Sequence, residues 1–346
     1  MLSEITRDTI VCVTGICGHL GSVIGAELCR KGCRVRGLQH DSRIPELLQG
    51  LPVEYCRGDV TSPDTLGSFL RHDGNEKLCV IHCAGIISII GGYQEKLHRV
   101  NVTGTINMVD AAIRNCADKF VYVSSVHSIA IPQKVKVITE TEVYHPSEVI
   151  GDYARTKCEA TAYVLSQKGK LDVTVVQPSG IMGPYDLGRN DLVALIASVA
   201  IGKRRIGVNG GYDMVDVRDI AKGTISALTN GHKGECYILS GHYVSIPDIM
   251  KISLKAAGTN GRIIVLPLCF ARIAAPFACL YAKLTGKKPL FTPYAIHTVA
   301  SAGNFSHAKA TEELGFDPRP IEETIADTVT YLQKHNRSFS DPKLAG

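Results

Sequence analysis

Short apolar runs rich in Val, Ile and Cys alternate with longer helical patterns from the start of the chain, and few folds accommodate that rhythm. The strand-like runs fall at 10–14, 33–39, 53–56, 78–83, 119–125 and 172–177. Helical patterns near 19–31, 63–72, 94–116 and 152–168 lie between them. Parallel neighbours need a crossover, usually a helix, so the alternation predicts βαβ units and an α/β fold with a doubly wound parallel sheet. It loosens after Pro178, where "QPSGIMGPYDLG" breaks the pattern. A smaller substrate lobe is expected over 179–346, beside a sheet domain spanning 1–178. The stretch 206–228, with "MVDVRDIAKG" inside it, is expected to return to the first domain. At 346 residues the chain is long enough for one large domain and a lobe.

The first crossover carries "VCVTGICGHLG" at residues 11–21, with Gly15, Gly18 and Gly21 spaced by three. A glycine turn between strand and helix aims backbone N–H groups, and the positive end of the helix dipole, at a phosphate. The same spacing also serves close helix–strand packing. Its place after a strand and before a helix favours a Rossmann-type dinucleotide site.

Further along, "DYARTKCEA" puts Tyr153 and Lys157 four residues apart, on one face of one helix. The apolar run "FVYVSSVHS" ends in Ser124 and Ser125. Strand-end residues of a parallel sheet emerge at its carboxyl edge, where ligands bind. Glycine turn, strand-end serine and Tyr-x-x-x-Lys in this order form a far more specific signal than any one of them.

With these motifs the chain resembles the extended branch of the short-chain dehydrogenase/reductase superfamily, the NAD-dependent epimerase/dehydratase type. "TGICGHLG" is similar to that branch's TGxxGxxG. "GDV" with Asp59 and Val60, "HCAG" with Ala84 and Gly85, and "NVTGT" with Asn101 also match. So do "QPSGIMGP" with Pro178 and Gly183, "VDVRDIAKG" with Asp219, and the closing "FSHAKATEELGFDPRPIEETI". The resemblance covers nearly the whole chain and is nearest to the 3β-hydroxysteroid dehydrogenase and dihydroflavonol reductase group. It implies hydride transfer between a hydroxyl and a ketone, with Tyr153 as acid/base. Lys157 would favour tyrosinate and hold the nicotinamide ribose, and Ser125 would hold the substrate oxygen. It implies cofactor contacts at Gly15, Cys17, Gly18, His19, Leu20, Gln39, His40, Arg43, Asp59, Val60, Ala84, Gly85, Asn101, Tyr153, Lys157, Pro178 and Gly180. Asn101 is read either as a water-relay anchor or as a structural hydrogen bond.

An acid at the tip of the second strand usually takes the ribose 2′-hydroxyl of NAD. Here "CRVRGLQHDSR" places Gln39 there, followed by His40 and Arg43, so NADP(H) is favoured; NAD(H) stays open through Asp41. Ile86, Val126, His127, Ile181 and Tyr185 are candidate substrate-lining residues, with His145 beside them. The uncharged "PSGIMG" and the apolar segment 263–283 favour a bulky, mostly apolar cyclic substrate of steroid or flavonoid type. A nucleotide-sugar epimerase or dehydratase is the alternative, and a non-catalytic NAD(P)-sensing protein the third reading.

Composition narrows the partners. Apolar residues make up 45% and charged residues 21%, an ordinary globular balance. Basic charge concentrates only in "GKRR" (202–205) and "GKK" (286–288), too briefly for a nucleic-acid surface. The twelve cysteines include no CxxC pair, and no His, Cys or Asp cluster has metal-ligand spacing, so neither a disulfide framework nor a metal is expected. A charged start, "SEITRD", running into the first strand reads as a cytoplasmic chain without a signal peptide. The 262–288 stretch, broken by Pro267, Arg272 and Pro276, is a poor membrane span. It reads as helices covering a pocket, with weak membrane association as the minority reading; a homodimer is the remaining partner expectation.

Overall fold

All six predicted strands form, each within two residues of its expected bounds; those at the centre of the sheet are buried on both faces, which suits their β-branched residues. The structure is a computed structural model describing residues 5, 8–88, 93–131, 135, 137–188, 190–273, 275, 296, 300 and 303–335. Its strands are β1 (Thr9–Thr14), β2 (Arg34–Gln39), β3 (Val53–Arg57), β4 (Lys77–His82), β5 (Lys119–Val123) and β6 (Val173–Pro178). Then come β7 (Gly180–Met182), β8 (Ile206–Val208), β9 (Gly211–Asp216), β10 (Cys236–Leu239), β11 (His242–Ser245) and β12 (Ile264–Leu266). Seven of them form the main sheet in the order β10-β6-β5-β4-β1-β2-β3, every pair parallel. The order reverses at β1, the position where such sheets open a crevice at their carboxyl ends.

Helices α1 (His19–Arg30), α2 (Leu66–Phe69), α3 (Glu95–His98), α4 (Gly104–Arg114) and α5 (Asp152–Ser166) belong to this first half. They are followed by α6 (Asp191–Ala200), α7 (Val217–Thr229) and α8 (Ile246–Ala256). Two apolar cores sandwich the sheet. Val23, Ile24, Ile220 and Ile225 bring α1 and α7 to one face; Met108, Val109, Ala154 and Cys158 bring α4 and α5 to the other. The helix read as 94–116 is broken between α3 and α4 by a π-helical turn at Arg99–Thr103, which holds Asn101.

After β6 the chain leaves the sheet and comes back with α7 and β10, so the returning segment differs from the 206–228 block expected. Within that block β8 pairs with β12, outside the main sheet, and β9 lies between β7 and β11. The 262–288 stretch also departs from expectation. It begins with β12, and the helical residues 268–273 hold Phe270 and Ile273 out in solvent. Residues 274 and 276–288 of that stretch lie outside the described residues. Among the described residues no helix is long and apolar enough to cross a membrane, and no group of His, Cys, Asp and Glu could hold a metal ion.

Candidate active site

The three glycines of the first turn answer different demands. Gly15 has φ +68°, and a Cβ there would lie 2.9 Å from the Ala84 nitrogen at the end of β4. A Cβ on Gly21 would stand 2.1 Å from the Gly15 carbonyl, so only glycine lets α1 begin this close to the turn. Gly18 is the N-cap of α1 and supplies no side chain to cap it, and the first helical turn carries no acid. Packing accounts for Gly15 and Gly21; the bare helix end beside them is open to an anion.

At the carboxyl end of β5 the two serines separate in role. Ser124 Oγ lies 2.6 Å from Thr161 Oγ1 and ties the strand to α5. Ser125 starts a 3₁₀ turn, accepting the His127 amide at 3.2 Å, with its hydroxyl near the Tyr153 phenol. Burial pushes that phenol up to about 12, which the nearby Ser125 hydroxyl only partly offsets. The expected depression of Tyr153 by Lys157 is therefore not realised in the protein alone. Lys157 instead donates to the Val123 carbonyl at 2.8 Å and to the Tyr122 hydroxyl at 3.3 Å. Burial brings its ammonium down to about 8. Two acceptors leave it one proton to give, and a Cβ placed on Gly85 would be 3.5 Å from its Nζ.

Asn101 is a clasp. Its Oδ1 accepts the Ile86 amide at 2.7 Å, and its Nδ2 donates to the Ile86 carbonyl and to Thr156 Oγ1 on α5. Of the two readings of this residue, the side chain makes the structural one. Beneath it runs a chain absent from the sequence reading. The Ala84 amide donates to Thr14 Oγ1, leaving the Thr14 proton for His82 Nδ1 at 2.7 Å. His82 Nε2 then donates to Thr105 Oγ1, and Thr105 to the Asn101 carbonyl. Every proton has one direction only if His82 is neutral, and burial holds its imidazole down to about 3. Thr105 lies in the quoted "NVTGT"; His82 opens "HCAG".

The other candidates fall in three places. Around the bare end of α1 lie half-buried Cys17, inward-packed Leu20 and His19, whose Nε2 donates to the Pro184 carbonyl at 2.8 Å. At the tip of β2, Gln39 Nε2 reaches the Arg43 carbonyl, His40 Nε2 lies 3.5 Å from Asp59, and Asp41 accepts the Arg43 amide. The Arg43 side chain is exposed there. Val60 is buried against Gly104, Pro178 ends β6, and Gly180 has no room for a side chain beside Met214. Of the substrate-lining candidates, half-buried Ile86 is fixed by Asn101, and Val126 lies wholly inside the core. Ile181 and Tyr185 pack toward the α1 side, with Tyr185 edge-on to Tyr331. His145 is exposed. His127 meets Tyr153, its ring edge-on with the centroids 5.9 Å apart. It stacks on Tyr212 of β9 and lies within hydrogen-bond reach of the Tyr212 hydroxyl, and Tyr212 meets Phe305. No local signal in the sequence marks Tyr212 or Phe305.

Residues 11–240 match the family model described as NAD dependent epimerase/dehydratase family. The chain belongs to that family. It is an oxidoreductase of the extended short-chain dehydrogenase/reductase type, and its family is NAD-dependent. Sterol demethylase protein B of Methylococcus capsulatus is 29% identical over 93% of this chain and 98% of its own length. A putative dihydroflavonol 4-reductase of Synechocystis is 28% identical over 93% and 94%. A 3 beta-hydroxysteroid dehydrogenase/Delta 5→4-isomerase of Mycobacterium tuberculosis is 26% identical over 89% and 86%. Among solved structures, gox2253 superimposes with a TM-score of 0.81 at 29% identity, over 95% of this chain and 99% of that one. The UDP-glucose 4-epimerase of Thermus thermophilus, in complex with NAD, gives 0.73 at 19% identity over 94% and 99%, a likeness of fold.

The residues fit a nicotinamide dinucleotide: a glycine turn that a Cβ would fill, an uncapped helix end, and a buried lysine with a proton to spare. When bound, that group supplies or accepts the hydride.

Proposed function

We propose that the chain interconverts a hydroxyl and a ketone on a bulky, mostly apolar cyclic substrate of hydroxysteroid or flavonoid type, with NADP(H) preferred. The observation that carries the substrate reading is the ring series Tyr153, His127, Tyr212 and Phe305. It begins at the candidate proton donor and is largely carbon: Tyr153, Tyr212 and Phe305 are buried, and half-buried His127 carries the face left open. A ring system buried against it gains roughly 25 cal/mol per Å² of apolar area, whereas sugar hydroxyls would need polar partners to offset their desolvation. The names of the curated relatives support the same class.

In this reading the Ser125 hydroxyl holds the substrate oxygen beside the Tyr153 phenol, which gives its proton to a ketone or takes one from an alcohol. Lys157 holds the ribose with its spare proton. The NADP(H) preference is supported by Arg43 and His40 at the β2 tip, where Gln39 stands in place of an acid.

Turnover of a hydroxysteroid and flavonoid panel, compared with epimerisation of UDP-glucose in one preparation, tests the substrate. Clean epimerisation without steroid or flavonoid turnover would replace this reading. The double variant His40→Ala, Arg43→Ala is expected to weaken NADP by about 1.5–3 kcal/mol, the worth of a hydrogen bond to a charged group, while sparing NAD. Equal effects on both dinucleotides would remove the 2′-phosphate contact.

A further inference from the structure

Outside the site, basic and exposed apolar side chains gather at one end of the β8–β12 ribbon. The two strands run parallel, with Ile264 in register with Ile206, so the residues before each strand share one end. Lys203, Arg204 and Arg205 precede β8, and Arg262 precedes β12. The Arg205 guanidinium packs over Gly261 with its Nη1 buried, and its Nη2 reaches the Asn260 carbonyl. Lys203 and Arg262 are exposed.

Ile206 and Ile264, partners in register and therefore on one face, are 46% and 51% exposed. The other end of that face is closed, because Val208 is buried with Ala271 of the helical residues 268–273. Phe270 and Ile273, one helical turn apart, point away from that contact and are 61% and 67% exposed, with Arg272 exposed between them. Surface isoleucines occur singly in most proteins; four large apolar side chains around one ribbon mark an interaction surface. The charge pattern indicates the partner: no Asp or Glu lies between Asp248 and Glu312, nor between Asp191 and Asp213.

We propose that the β8–β12 ribbon, with Phe270 and Ile273 of the helical turn packed on it, docks the protein on an anionic lipid bilayer as a peripheral contact. The isoleucines and Phe270 would enter the headgroup boundary, while the arginine stems lie along the apolar surface with their guanidinium groups among the phosphates. Among the described residues no helix can cross a membrane, so attachment would be reversible and salt-sensitive.

Sedimentation of the full chain with phosphatidylcholine vesicles, with and without phosphatidylglycerol, tests this without any substrate. The result therefore does not depend on the reading of the active site. Binding is expected only to the anionic vesicles, and is expected to fall sharply at about 1 M salt, where the Debye length is about 3 Å. Arg262→Gln with Arg272→Gln should weaken it about 25-fold, roughly fivefold for each cation lost near the surface. Phe270→Glu with Ile273→Glu should abolish it while leaving dinucleotide affinity unchanged. Failure to bind anionic vesicles at low salt overturns the proposal, as does equal binding by the arginine variant. A concentration-dependent dimer that the Phe270/Ile273 variant loses, in a chain that binds no vesicle, would assign the surface to a second copy.

Discussion

Tyr153 is buried beside Ser125 with its phenol held up to about 12, so in the protein alone it is protonated throughout the neutral range. That is the form needed to protonate a ketone oxygen. Alcohol oxidation needs the tyrosinate, which becomes populated as pH climbs toward the raised value. Reduction is therefore expected to vary little between pH 6 and 8, and oxidation to rise with pH; pH–rate profiles in both directions check this. Tyr153→Phe should lower turnover by about 10²- to 10⁴-fold, the range of general acid–base catalysis, with dinucleotide affinity retained. Near-normal turnover would remove Tyr153 from the reaction. At Gly21 a methyl group would meet the Gly15 carbonyl, a backbone atom that cannot swing aside. Gly21→Ala is expected to cost about 1–3 kcal/mol of stability and to weaken dinucleotide binding. A wild-type melting temperature with unchanged affinity would show that the turn has slack.

At the scale of elements, Asp213 of β9 pins the two corners where the main sheet passes into the smaller one. Its carboxylate bonds Ser179 Oγ, between β6 and β7, at 2.5 Å, and the Gly241 amide, between β10 and β11, at 2.8 Å. Burial raises it from 3.8 to about 6, beyond what those hydrogen bonds recover. A carboxyl group raised on folding stabilises while it is neutral. That contribution is fully present below about 3.8 and lost as pH rises through about 6. Asp213→Asn keeps an acceptor for both donors and carries no charge. It should therefore be more stable than the parent at pH 8, by on the order of 1–3 kcal/mol, with the difference closing towards pH 4. Melting curves across that range test it, and a variant less stable at pH 8 would show that the ionised group is needed.

Across the whole molecule, the closing segment is fastened to the sheet by charge. Arg319 donates to both oxygens of Asp219 on α7, at 2.9 and 2.8 Å, and lies 3.7 Å from Asp216. Arg218 bonds Asp216 and reaches Asp327 on the last described helix, Ile321–His335. The Asp216 and Asp219 side chains have almost no exposure, so removing a partner strands a buried charge. Arg319→Met should cost about 3–5 kcal/mol, and adding Asp219→Asn should recover part of it. Without recovery in the double variant, the arginine would be acting through packing.

Much of this molecule was legible in order of residues alone, for reasons that are local. The six strands declared themselves through β-branched runs, which need no partner to be recognised. Tyr153 and Lys157 share a face because helical geometry fixes the spacing of residues four apart. Gly15 and Gly21 are glycines because the backbone of the turn admits nothing larger. What the tertiary structure decided are contacts between residues distant in the chain, which no period records. Thr14, His82 and Thr105 become one proton-ordered chain only when β1, β4 and α4 meet. His127 acquires Tyr212 only because β9 is brought back beside the turn after β5. Lys157 finds Val123 and Tyr122 because α5 packs over β5, and burial there, rather than charge, sets both its own titration and that of Tyr153. The apolar 262–288 stretch had one hydropathy and two destinations, core or surface. Where Phe270 and Ile273 point is settled by Ala271 taking the place against Val208, since one helical turn cannot bury all its sides on a two-stranded ribbon.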